Sequence, residues 1–251
     1  MSVFAAELRL VHRVLSDRDG PDWLPRLVRR ADFEPYGIPA LPRITVELPH
    51  DVSADVICTP DQAPPDARPD FQLVDFSLAG LSNVLLAEPV PVSNTRATFE
   101  LGFGWLPDAD LPPMLQATGT VKLWQACCAD DDCRERETHE GLGTFVARLG
   151  GTRAVGELEL SGPGDAPVLT LTTIGFDTDP ARLALDVEIT SIRDPDERAA
   201  WSRYANAIFR TADARRDVIA AIGRVLAGPE MRARLSEAAT ALLRALLKTG
   251  R

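Results

Sequence analysis

The chain changes its hydrophobic period twice. At the N-terminus, Phe4, Leu8, Val11 and Leu15 recur at helical spacing, which marks one face of an amphipathic helix. Asp17 to Pro21 ends that helix. Trp23, Leu24, Leu27 and Val28 then predict a short second helix starting near Pro21 or Asp22. Residues 35–43, PYGIPALPR, read as an extended connector, because proline withholds the donor a helix needs and drives the residue before it out of helical geometry.

The period then falls to two. Ile44, Val46 and Leu48 alternate with Thr45 and Glu47, as in a strand with one buried face. Residues 60–69, PDQAPPDARP, interrupt this as an exposed proline-rich loop within one fold. Beyond the Ser93-Asn94 turn, Ala97, Phe99, Leu101 and Phe103 point one way, and Arg96, Thr98 and Glu100 point the other. Val121 and Leu123 continue the strand theme, and further strands are predicted near 143–149, 153–160 and 168–174. In the last strand Leu183, Leu185, Val187 and Ile189 face one side, and Arg182, Asp186, Glu188 and Thr190 face the other.

After Asp194-Pro195 the helical period returns with Trp201, Tyr204, Ile208 and Phe209, then Val218, Ile222 and Val225. Gly228-Pro229 breaks it, and Pro229 suits the first position of a new helix. Leu235, Ala239, Leu242 and Leu246 give that helix its apolar face, widened by Leu243 and Leu247. Strands that follow one another without intervening helices predict an α+β fold with an antiparallel sheet and helices at both ends, not a doubly wound parallel sheet. No linker separates the halves, so residues 1–251 read as a single domain.

Composition narrows the functions. The formal net charge of −10 disfavours nucleic acid, whose nonspecific binding needs basic side chains to neutralise phosphates. No apolar run approaches the roughly 18 residues of a membrane-spanning helix. Glu7, Arg9, His12 and Arg13 interrupt the apolar pattern at the start, so no secretory signal is visible and a cytoplasmic location is expected. There the four cysteines, Cys58, Cys127, Cys128 and Cys133, would be thiols; in an oxidising compartment Cys133 could pair with either neighbour.

Candidate chemistry is sparse. The chain has no phosphate-binding loop, nucleophile elbow or paired-histidine zinc helix. Its histidines are His12, His50 and His139, none in a partner motif. Cys127, Cys128, Cys133 and His139 supply soft ligands, but their spacing is not that of a zinc finger and a second half-site is missing. Residues 127–140 read instead as a charged hairpin loop with thiols near its base, Asp130 to Asp132 forming a solvated tip. No catalytic residue, metal or cofactor is expected.

The run LAGLSNVLLAEPVPVSNTRATFELGF at 78–103 resembles a segment of the tubular lipid-binding superfamily, especially its takeout and juvenile-hormone-binding branch. There a Gly-Leu-Ser turn, here Gly80-Leu81-Ser82 with Asn83, ends one strand before two more alternating strands. Leu24 to Arg43, with Gly37-Ile38-Pro39, resembles that family's entry, Thr118-Gly119-Thr120 its glycine-containing strand, and the C-terminal helix also fits. The secreted branch's signal and N-terminal cysteine pair are not seen here, so neither is carried over.

The resemblance implies a strongly curved antiparallel sheet wrapped around a long helix, enclosing an apolar tunnel. The expected function is binding or transfer of a lipid or other hydrophobic small molecule without catalysis. Ala97, Phe99, Leu101, Phe103, Leu183, Leu185, Val187, Ile189, Leu235, Leu242 and Leu246 are the expected lining, although taken singly each fits an ordinary core better, since every amphipathic element needs a core face. Arg232, Arg234, Arg244 and Lys248 beside the last helix's leucines would also suit transient contact with a lipid surface. The alternative is a structural or interaction module of a larger assembly, a homo-oligomer included, with that helix and the proline-rich loop as partner surfaces.

Overall fold

The structure is a computed structural model that describes residues 3–30, 36–38, 40–48, 50–66, 68–108, 110–162 and 166–249; the side chains of residues 3–5, 36, 60, 226, 242 and 245–249 lie outside that description, as does Pro39. Two helices open the chain, α1 (Val3–Ser16) and α2 (Leu24–Arg30), with Leu8 and Leu15 of α1 buried. Strands β1 (Tyr36–Ile38) and β2 (Ile44–Thr45) follow. The strand expected through Leu48 stops short. Val46 still donates to the carbonyl of Pro69 (3.1 Å), but a proline has no N–H to return.

Seven longer or paired segments come next: β3 (Asp70–Ala79), β4 (Val84–Leu86), β5 (Val90–Pro91), β6 (Arg96–Phe103), β7 (Leu115–Cys128), β8 (Arg136–Leu149) and β9 (Thr152–Ser161). Then come β10 (Val168–Asp177), β11 (Leu183–Ile189), and helices α3 (Pro195–Phe209), α4 (Ala212–Leu226) and α5 (Pro229–Thr249). All pairings are antiparallel, and the fold is α+β. The strands divide into two sheets rather than one. The first has the order β1-β3-β7-β8-β11 with β2 beside β3, and the second β10-β9-β6-β4 with β5 beside β6.

The two sheets are joined because the chain crosses between them at one end. It leaves β3 for β4 through Gly80, β6 for β7 through Gly104, and β8 for β9 through Gly151, all at left-handed φ, and passes from β10 to β11 through a 3-10 turn, Pro180–Arg182. Strands that switch sheets in this way make the corners of folded sheets. Gly80 shows the constraint: at φ +90 a Cβ would lie 2.3 Å from the carbonyl oxygen of Met114. Asn83, fully buried, ties two of these crossings together. Its amide donates to the carbonyls of Leu106 (3.1 Å) and Pro112 (2.8 Å) and accepts from Leu106 N–H (3.0 Å).

β10 and β11 end their sheets, and helices bond to part of each free edge. On α5, Ser236 accepts from Leu171 N–H (2.8 Å) and Thr240 from Leu169 N–H (2.9 Å), while Arg232 and Arg244 donate to the carbonyls of Thr172 and Pro167. Four helical residues advance about 6 Å and two strand residues about 6.8 Å, so the two repeats keep step along the edge. On α3, Asn206 exchanges both bonds with Val187, and Ser202 accepts from Ile189 N–H (3.0 Å). Arg232 and Arg244, read from sequence as suited to a lipid surface, thus hold a helix to a strand; Arg234 pairs with Glu230 (2.8 Å).

α3 also buries Tyr204, whose hydroxyl donates to the amide oxygen of buried Gln125 on β7. Burial raises the phenol's pKa above its ordinary value. The helical period between 195 and 225 splits at Thr211, which caps α4 by accepting from Ala214 N–H (3.2 Å).

The cysteine region differs from its expectation. All four are joined, Cys58 to Cys127 and Cys128 to Cys133. Neighbours on a strand point to opposite faces, so Cys127 and Cys128 reach different partners. The charged stretch 127–140 is half strand: β7 runs to Cys128 and β8 starts at Arg136, its polar residues exposed but paired. The tip is short, closed by Asp130, which accepts from Arg134 N–H (2.7 Å). The proline-rich loop is in part docked rather than exposed: Pro64 and Pro69 are buried, and Asp66 pairs with Arg136 (2.8 Å), which lowers the Asp66 pKa. With every sulfur paired, the cysteines cannot serve as thiolate ligands, and among the described residues no cluster is placed to hold a metal.

Two stability measurements follow. Ser236→Ala leaves Leu171 N–H without its acceptor and should cost about 1–3 kcal/mol, read as a lower urea midpoint. Replacing Cys58 and Cys127 together with Ala opens a loop of 69 residues' separation and should cost about 4 kcal/mol on the same assay.

Candidate functional site

A cavity of about 130 Å³ lies beside the corner where the sheets meet. Every crossing contributes a wall residue near it. Leu78 and Leu81 flank Gly80, Leu101 and Phe103 precede Gly104, and Leu115 follows that loop. Leu149 and Thr152 stand either side of the third crossing, and Phe176 and Thr178 approach the fourth. Small side chains, Ala117 on β7 and Ala154 on β9, line the walls between them. Helices close the remaining side with Ile219 and Ile222 of α4 and Met231 and Leu235 of α5.

The chemistry of this wall is uniform. The polar side chains on it, Thr152 and Thr178, are buried and bond to each other (2.8 Å). Among the described residues that border the space there is no carboxylate, imidazole, amine, guanidinium or thiol. Its surface therefore offers chiefly dispersion contacts.

A second, open concavity of about 680 Å³ adjoins it, between β1, the middle of β3 and the α4–α5 turn. Ile38, Phe76 and Met231 border both spaces. Phe76 reaches this position through a bulge in β3, where the register shifts between Val74 and Ser77 and Asp75 adopts φ 47. Gly119 on β7 admits the bulge, since a Cβ there would lie 2.5 Å from that of Phe76. The rim carries Asp75, Glu230 and Arg234, all exposed.

Of the residues expected to line a ligand space, Leu101, Phe103 and Leu235 border the cavity. Phe99 is buried in the main core and packs at Gly156. Ala97 lies at the far end of β6, in a small cluster with Leu8 of α1 and Leu160. Leu183, Leu185, Val187 and Ile189 are main-core residues of β11, away from the cavity wall. Leu242 and Leu246 lie outside the described side chains. Sequence reasoning missed the crossings and the α4–α5 turn as wall-builders. The glycines at 80, 104 and 150–151 were the traces available.

No protein-family model and no curated protein sequence matches the chain. Among solved structures it is similar to lipopolysaccharide binding protein, at 9% identity and a TM-score of 0.31, over 76% of this chain and 34% of that one. It is also similar to Takeout 1 of Epiphyas postvittana, at 8% identity and a TM-score of 0.34, over 83% of this chain and 76% of that one. The chain therefore spans about a third of the length of lipopolysaccharide binding protein.

Because the corner depends on Asn83, Asn83→Ala should orphan the carbonyls of Leu106 and Pro112 and the N–H of Leu106. Each such loss costs about 1–3 kcal/mol. Denaturant unfolding should show a drop at least as large as one of them.

Proposed function

We propose that the chain binds a small hydrophobic molecule in the cavity beside the corner and holds or transfers it unchanged. The observation that carries this reading is the cavity itself: a void walled by apolar side chains on two sheets and two helices, with its threonines turned to each other. At about 130 Å³ it compares with the apolar cavity of about 150 Å³ that stays dry and takes up benzene. It is smaller than the roughly 300–1,000 Å³ of drug-sized sites, so the void alone suits a six-carbon group, and a longer tail would extend past Met231 into the open concavity. The absence of ionisable groups from the wall supports binding without catalysis. The two disulfides support action in an oxidising compartment, which replaces the cytoplasmic expectation in this reading.

A guest that fits this space removes its apolar wall from water, a favourable transfer. Calorimetric titration with benzene tests this. The native chain should bind it, and Ala154→Phe, which fills the void, should weaken binding by at least about tenfold, or 1.4 kcal/mol. An unfolding scan of the variant confirms that it is folded. No binding to the native chain, or equal binding to both, contradicts the reading.

A further inference from the structure

The open concavity beside the cavity carries a charge pattern of its own. Asp75 stands on its rim, exposed, placed there by the β3 bulge and its left-handed backbone. Bulges re-aim side chains in this way, and they recur at sites of function. Among the described residues no salt-bridge or hydrogen-bond partner is assigned to the Asp75 carboxylate, whereas the rim's other charges, Glu230 and Arg234, face each other at 2.8 Å. Glu230 also sits in the first turn of α5, where a carboxylate offsets the positive end of the helix dipole. Among the described rim residues, Asp75, Glu230 and Arg234, the charges sum to one net negative.

Ile38, Phe76 and Met231 form the wall between this rim and the apolar void. Of the three, Met231 has the most adaptable side chain, unbranched and flexible, and it sits at the start of α5 just after the Gly228-Pro229 break. It stands on a helix, whereas Ile38 and Phe76 stand on paired strands.

We propose that the two spaces form one bipartite site for an amphiphile. A six-carbon apolar group enters the void past Met231, and a cationic polar end, an ammonium, stays on the rim against Asp75. This inference rests on the proposed function and adds the ligand's chemical class to it. A carboxylate of the same chain length would meet the Asp75 charge and bind worst.

The test is calorimetric titration at pH 7 with three probes of one chain length: hexylamine, 1-hexanol and hexanoate. The native chain should bind them in that order of affinity. Exposed ion pairs contribute up to about 1 kcal/mol, so the step from hexanol to hexylamine should be about threefold to fivefold. Asp75→Asn should abolish that step while leaving hexanol affinity unchanged, and raising salt should shrink it in the native chain. Met231→Ala should speed hexanol association, seen in stopped-flow competition. Hexanol binding without the amine preference, or a preference that survives Asp75→Asn, overturns the bipartite site and leaves the cavity reading standing. Failure of all three probes to bind overturns both.

Discussion

A sheet margin leaves backbone N–H and C=O groups that must find partners, and here the C-terminal helices supply them. Ser202 and Asn206 on α3 serve β11, while Arg232, Ser236, Thr240 and Arg244 serve β10. These bonds fix where both helices lie before any apolar packing is counted. α4, strung between them, then has little choice of position. Its Ile219 and Ile222 meet the cavity from one side, as Met231 and Leu235 of α5 do from the adjoining one. The same bonds protect two strand edges that would otherwise template association with other chains.

The other determinant is the corner. Four passages between the sheets converge at one end, and the backbone there takes left-handed turns that only glycine adopts at low cost. Asn83 locks two of the passages with side-chain bonds to the loop that follows β6. Around such a corner the two inner faces diverge, and Ala117 and Ala154 do not reach far enough to fill the gap. Elsewhere α3 packs directly on the first sheet. Phe71 packs edge-on against Phe209 at 4.6 Å, and the β11 leucines are solid core. Among the described residues the interior thus combines a packed core with a local void at the corner.

Much of the architecture was legible because it rests on period. The alternation at 96–103 and 182–190 and the helical stripes at both ends appear as elements within a residue or two of their expected places. Boundaries set by a distant partner were not legible. β2 ends where Pro69 fails to return a bond, and β8 begins seven residues before the apolar run that announced it, because β7 pairs with its charged half. The candidate site was legible only in part for a related reason. Apolar alternation identifies an inward face, but Ala97, Phe99, Leu101 and Phe103 share one face and only the last two border the void. Which stretch of a face stays uncovered depends on the crossings and helix ends, which no single segment encodes. The cysteines mislead similarly: Cys58 and Cys127 are far apart in sequence, and only the docking of the 54–63 segment brings them together.

The most direct measurement is a crystal structure determined under xenon pressure. Xenon occupies dry apolar cavities of this size and scatters strongly enough to be placed without ambiguity. The account predicts a xenon site enclosed by Leu101, Phe103, Ala154 and Leu235. Ordered water in that space, or side chains closed over it with no xenon bound, would contradict it.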